Sequence, residues 1–131
     1  GKQEGATLVT GGRRLVGEAY ARGWFHEPTI FGDVTPSMRI AQEEIFGPVV
    51  SVIPFKDEDE AVRIANDSTY GLGGASLALA KRIRTGVVWI NNGINFLDAP
   101  FGGFKQSGLG REGGRFGMEE YTELQQIAWR A

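Results

Sequence analysis

Two β-prone apolar runs, spaced by amphipathic stretches, constrain the fold of this chain more than any other feature. Val49-Val50-Ser51-Val52-Ile53 and Val87-Val88-Trp89-Ile90 are rich in β-branched residues and read as buried strands, the second covered on both faces. Between them, Asp57 stands as a helix N-cap with Glu60 three residues on, an acidic relative of the capping box. Ala61, Val62, Ile64 and Ala65 then supply the apolar stripe of a short helix ending near Asn66. Residues 72–75 read as a very short strand, and Leu77, Leu79, Ala80 and Ile83 as a second helix. Gly86 stops that helix, and Lys81, Arg82 and Arg84 put cations in its last turns, where the helix dipole favours them. Strand, helix, strand, helix, strand with short connections is the signature of an α/β fold, with a mostly parallel sheet and flanking helices.

The flanking segments add less regular elements. Residues 6–10 form a β-prone run closed by Gly11-Gly12, and residues 29–31 form another after Pro28. Residues 34–48 carry Pro36 and the pair Gly47-Pro48, which predicts a loop with one short helical turn. Residues 113–121 read as a final helix. Leu124, Gln126 and Ala128 then alternate with Gln125, Ile127 and Trp129, so the chain ends in a half-exposed strand. There is no internal repeat or low-complexity tract.

Composition narrows the chemistry. At 131 residues there is room for one domain or part of one. The 14 basic residues are offset by 16 acidic ones, which argues against a nucleic-acid footprint. No apolar run reaches the roughly 20 residues of a membrane span and no signal-peptide pattern opens the chain, so the expected setting is the cytoplasm. The absence of cysteine excludes disulfides, thiolate metal sites and any cysteine nucleophile within this sequence. His26 is the lone histidine, which argues against a histidine-based zinc site, and it is expected at the surface. The chain opens Gly1-Lys2-Gln3 rather than with Met, as expected where a start codon lies elsewhere or a tag has been removed.

Two motifs invite a functional reading. Gly108-Leu109-Gly110-Arg111-Glu112-Gly113 fits G-x-G-x-x-G, but that fingerprint needs a strand directly before it and an acidic residue about 20 positions on. Residues 102–107 do not read as a strand and the chain is nearly over, so a tight loop needing positive φ is the better reading. Glu43-Glu44-Ile45-Phe46-Gly47-Pro48 sets two carboxylates, an aromatic and a turn before a buried strand, where ligand clefts of α/β proteins tend to lie. On residue chemistry alone, a solvated acidic pair and a core phenylalanine remain the alternative.

Gln42-Glu43-Glu44-Ile45-Phe46-Gly47-Pro48, Asn66-Asp67-Ser68-Thr69-Tyr70-Gly71-Leu72, Gly86-Val87-Val88-Trp89-Ile90-Asn91 and Pro100-Phe101-Gly102-Gly103-Phe104-Lys105-Gln106-Ser107-Gly108 together resemble successive motifs of the aldehyde dehydrogenase superfamily. They stand in the family's order and near its spacing, and Gly110-Arg111-Glu112 continues the match. The resemblance implies the last quarter of such an enzyme, with residues 1–122 the latter part of the catalytic domain and residues 123–131 a terminal strand used in subunit assembly. Members oxidise an aldehyde to an acid through a cysteine thiohemiacetal, hydride transfer to NAD or NADP, and thioester hydrolysis assisted by a glutamate base. The cysteine and that base would lie upstream of this segment.

Residue by residue, the resemblance gives Glu44 the nicotinamide-ribose hydroxyls and Phe46 a place beside the nicotinamide. Phe101, and with it Phe96, would line the aldehyde tunnel. Glu112 matches a glutamate that relays protons for the hydrolytic step in some members, with a salt bridge or loop anchor at Arg111 as the alternative. The partners implied are an aldehyde substrate and further copies of the chain in a homo-oligomer. Without the upstream residues, the chain is expected to be inactive and to hold no cofactor tightly. The other class of function left open is a truncated, non-catalytic module that binds a partner or self-associates. One departure stands out. Between Ala75 and Ser76, about two helical turns' worth of family sequence is missing, through a gap in the sequence or a real deletion, which would shorten a strand and its crossover helix.

Overall fold

The computed structural model describes every residue but Ala75, Asn92, Asn95 and Ala131. The chain divides into two compact units, Gly1–Ser68 and Thr69–Ala131.

In the first unit β1 (Thr7–Thr10), β2 (Thr29–Gly32) and β3 (Val49–Ser51) form one sheet with β2 in the centre. β1 runs antiparallel to β2, with a register shift between Leu8 and Thr10, and β3 lies parallel to β2 with Thr29 opposite Val49. The core is small: Ala6, Val34 and Met38, with Phe31, Ile40, Ala41 and Ile53 packed against it. Thr29 is the buried polar residue at its edge, and its hydroxyl is satisfied twice. Thr29 Oγ1 donates to the Glu27 carbonyl at 2.8 Å and accepts the Gly12 N–H at 2.8 Å. The one helical turn expected within residues 34–48 is α1, Arg39–Gln42. The run Val49–Ile53 is not the fully buried strand expected. Ile53 reaches the core, but Val50 and Val52 are half exposed, because no layer covers the second face of this small sheet in the described unit.

α2 (Glu58–Asp67) forms where its cap lies. The Asp57 carboxylate accepts the Glu60 N–H at 2.8 Å, while Glu60 Oε2 accepts the Lys56 N–H at 3.0 Å, so two amides lacking intrahelical partners are satisfied reciprocally. That second bond, helped by the charges of Lys56 and Arg63, holds the Glu60 carboxyl below its usual range. A depressed carboxyl stabilises while ionised. Its contribution is present above the ordinary glutamate range and fades as pH falls through the lowered value. Replacing Asp57 with Ala should weaken the α2 end by about 0.5–2 kcal/mol. Faster amide hydrogen exchange at residues 61–64, with unchanged exchange in β1 and β2, is the expected reading; no change at residues 61–64 would refute it.

The second unit contains two small ladders. β4 (Tyr70–Gly71) pairs antiparallel with β7 (Phe104–Lys105), and β5 (Gly73–Gly74) pairs parallel with β6 (Val87–Val88). α3 (Gly114–Glu119) is the final helix, shorter at both ends than expected. Gly86 lies so close to the Gly102 carbonyl that any Cβ there would overlap it, which explains a glycine at the entry to β6.

Four expectations are corrected here. First, the sheet is not mostly parallel. Among the described residues, two of four strand pairings are antiparallel, because β4 finds β7 from far along the chain rather than its sequence neighbour. Second, residues 77–83 form turns, not a helix, with Ile83 N–H to Leu79 O at 3.1 Å and Arg82 N–H to Leu79 O at 2.8 Å. A parallel crossover ordinarily needs a dozen or more residues and a helix to span it. Residues 75–86 join β5 to β6, at the lower limit of such a connection. The expected gap adjoins Ala75, which lies outside the described residues, as does the end of the strand expected over residues 72–75. Third, residues 102–107, read as non-strand, contain β7. Fourth, residues 123–130 form no strand. Leu124, Ile127 and Trp129 are exposed, since a strand needs a hydrogen-bonded neighbour and none is offered among the described residues. Among those residues, no helix is long and apolar enough to cross a membrane.

Candidate functional site

The first cluster is built on the loop from α1 to β3. Arg39 opens α1, and its backbone N–H meets the Glu4 carboxylate at 3.1 Å. Its guanidinium binds Glu43 in a bidentate pair, Nε to Oε1 at 2.9 Å and Nη2 to Oε2 at 2.7 Å. This bond lowers the Glu43 carboxyl and raises Arg39 from their usual ranges. Of the two adjacent carboxylates, therefore, Glu43 is occupied. Glu44 is exposed and has no ion-pair partner among the described residues. Phe46, two residues on, has a φ of 54° and is 88 % exposed. A phenylalanine in the left-handed region and in water combines two unfavourable states, a pattern that concentrates at binding sites.

Glu44 and Phe46 together line an open cleft of about 310 Å³ with Ile40, Ile45 and Val49. Glu44 also borders a larger cleft of about 730 Å³ that reaches Arg39, Glu43 and Thr29. His26 touches this larger cleft too, exposed as expected, with Nδ1 2.8 Å from the Glu27 carbonyl oxygen. The role of Arg39 was missed in the sequence reading, yet its spacing to Glu43, four residues along one helical turn, was the available signal.

The second cluster lies in the other unit and is described by itself. Phe101 and Glu112 exchange both backbone hydrogen bonds, each 2.7 Å, so two expected site residues distant in sequence are locked face to face. The glycine-rich loop between them is held by Arg111. Its Nη1 donates to the carbonyls of Gly110 at 2.7 Å and Gly103 at 3.0 Å, and its guanidinium lies 5.1 Å from the Phe104 ring centroid. Arg111 thus spends its charge on carbonyls and not on Glu112, and the considered ion pair between them does not form. Glu112 is exposed and borders a cleft of about 480 Å³ with Phe101, Ser107 and Arg111.

On the other side of Phe101, a cavity of about 290 Å³ includes Phe96, Trp89, Ile90, Ile94 and Pro100 in its wall. Both aromatics expected in the tunnel therefore share one cavity, although the loop over residues 92–99 includes Asn92 and Asn95, which lie outside the described residues. In the G-x-G-x-x-G stretch, the positive φ expected of a tight loop is found at Gly113 (86°), and not at Gly108 or Gly110. A Cβ on Gly113 would stand 2.6 Å from the Ala99 carbonyl oxygen. The preceding β7 pairs antiparallel, so the parallel strand–loop–helix setting of a dinucleotide fingerprint is not met.

A family model described as the aldehyde dehydrogenase family matches residues 1–127. An aldehyde dehydrogenase of Emericella nidulans is 49 % identical over 140 aligned positions, covering 99 % of this chain and 27 % of that protein. A betaine aldehyde dehydrogenase of Bacillus subtilis is 48 % identical, covering 97 % of this chain and 28 % of its own length. The crystal structure of an aldehyde dehydrogenase of Mycobacterium tuberculosis complexed with NAD⁺ superposes with a TM-score of 0.87 at 43 % identity, covering 100 % of this chain and 29 % of that one. The chain thus spans about a quarter of the length of these relatives. The 140 aligned positions exceed the 131 residues of the chain, so the Emericella protein carries residues with no counterpart here. Matched over nearly its whole length, the chain belongs to the aldehyde dehydrogenase family.

Proposed function

We propose that this chain is the C-terminal part of an NAD(P)-dependent aldehyde dehydrogenase, and that the whole protein oxidises an aldehyde to its acid. The observation that carries the reading is the match over residues 1–127 to proteins about four times longer. Solved relatives in complex with NAD⁺ support the cofactor class. The donor set here fits such a ligand. Glu44 is an exposed carboxylate not consumed by Arg39 and is able to accept two hydroxyl hydrogens, and Phe46 offers a bare aromatic face beside it. When bound, the nicotinamide supplies the hydride acceptor.

In this reading, each residue of the chain has a limited task. Glu44 orients the ribose and Phe46 packs along the nicotinamide. Phe96 and Phe101 exclude water around the aldehyde, and the exposed Glu112 carboxylate relays a proton during hydrolysis. The nucleophilic thiol comes from outside these residues, since the sequence has no cysteine. We further assign residues 123–131 to assembly with a second copy, on the strength of the exposed Leu124, Ile127 and Trp129.

The decisive experiment expresses the whole reading frame that contains this segment. NADH or NADPH formation with a panel of aldehydes is expected, from a protein that sediments as an oligomer and dissociates when residues 123–131 are deleted. A protein without aldehyde oxidation would overturn the reaction, and a monomer, or an oligomer indifferent to the deletion, would overturn the assembly role.

A further inference from the structure

The segment that carries Glu44 and Phe46 has no framework of its own. Glu44, Ile45 and Phe46 enter no hydrogen bond among the described residues. All three are exposed, and Phe46 holds its left-handed φ of 54° without burial to fix it. A segment with neither hydrogen bonds nor packing takes its conformation from its two ends. The downstream end is tied to the sheet, where the Pro48 carbonyl accepts the Thr29 N–H at 2.8 Å.

The upstream end is Glu43, and its anchor is Arg39. α1 is a single turn, too short to hold itself together in water, and its N-cap residue Met38 supplies no side-chain cap. Side chains around it make up the difference. The Glu4 carboxylate, 35 residues away, accepts the Arg39 N–H at 3.1 Å. Gln42 Nε2 donates to the Pro36 carbonyl at 2.8 Å, and Ser51 Oγ donates to the Ile40 carbonyl at 3.1 Å. From this braced turn, the Arg39 fork takes both oxygens of Glu43. Two parallel bonds between planar groups fix orientation as well as distance. Glu44 is one peptide further on. Because Glu43 and Glu44 border the same cleft with Phe46, the fork also decides which carboxylate is left for a ligand.

We infer that Arg39 is a positioning residue, whose clamp on Glu43 sets the start of residues 44–46 and leaves Glu44 as the carboxylate that meets the ribose hydroxyls. It acts through Glu43 and not on the cofactor. The service to a ribose rests on the function proposed above; the clamp rests on the geometry alone.

The test is made in the whole protein, by steady-state kinetics with varied NAD⁺ and by crystal structures without cofactor. Arg39→Ala should raise KM for NAD⁺ about five- to tenfold and leave kcat within about twofold. Arg39→Lys keeps the charge without the fork and should fall between. On a Glu44→Gln background, Arg39→Ala should change KM by less than about twofold, since its effect passes through Glu44. Arg63→Ala, which breaks an exposed pair with Glu60 on α2, should leave KM for NAD⁺ unchanged. In crystals of Arg39→Ala, residues 44–46 should shift or lose order while β1, β2 and β3 superpose. An unmoved segment, an unchanged KM, or a rise in KM that repeats in full on the Glu44→Gln background overturns the inference. If the segment moves in Arg39→Ala but Glu44→Gln handles NAD⁺ normally, the cofactor reading fails and the clamp stands. If Glu44→Gln weakens NAD⁺ and Arg39→Ala does not, the cofactor reading stands and this inference falls.

Discussion

A purified polypeptide of this sequence should form no NADH or NADPH above background when given either oxidised cofactor and a panel of aldehydes. The family's route begins with a thiolate adding to the carbonyl, and the sequence contains no cysteine. Two hydroxyls line the cleft beside Glu112, those of Ser107 and Tyr121, and Ser107 Oγ accepts the Gly71 N–H at 3.0 Å. Cofactor binding should fail as well. A charged carboxylate accepting ribose hydroxyls contributes about 1.5–3 kcal/mol, and one aromatic face adds somewhat less. Several kcal/mol in all corresponds to millimolar affinity or weaker. Calorimetric titration of NAD⁺ should therefore show no saturation below the millimolar range. Turnover with any aldehyde, or micromolar binding, would show that the chain holds a complete site after all.

In the whole protein, Glu44→Gln should lower catalytic efficiency toward the cofactor by about one to two orders of magnitude, the kinetic equivalent of losing charged hydrogen bonds to two hydroxyls. Thermal stability should stay within the range of an ordinary surface substitution, about 0.5 kcal/mol. The reason for the split is geometric. Glu44 is exposed, and the ion pair that shapes its loop is made by its neighbour Glu43 with Arg39. Glu43→Gln is the informative contrast, because it loses one arm of the bidentate pair and should loosen α1 before it touches the cofactor. Steady-state kinetics with varied NAD⁺, beside a melting curve, distinguishes the two. A fully active Glu44→Gln protein, or one that merely melts early, would mean that the ribose contact belongs to another residue.

The legibility of this chain depended on the range of each interaction. The α2 cap was readable because Asp57 and Glu60 sit within one turn, and local hydrogen bonding suffices to start a helix there. The strands β1 and β2 were readable from β-branched residues bounded by glycine and proline. Glu44 and Phe46 were found through a motif that is continuous in sequence. The partnership of Phe101 with Glu112 was not legible, since a backbone bridge leaves no trace in residue type. Nor were the Gly103 and Gly110 carbonyls as the partners of Arg111, for which the residues offered only a salt bridge or a loop anchor.

By itself, then, the sequence determined the family, the absence of a nucleophilic thiol, the helix cap and the positions of the first strands, all of which rest on residue identity or on contacts a few residues apart. Only the tertiary structure decided which strands pair, that residues 77–83 turn rather than coil, and that residues 123–130 stay unpaired. Strand pairing joins backbone groups that are alike at every position, so long-range geometry and connection length select the partner. A helical pattern across residues 77–83 is likewise overruled by tertiary context, since the connection from β5 to β6 is at the lower limit of a parallel crossover.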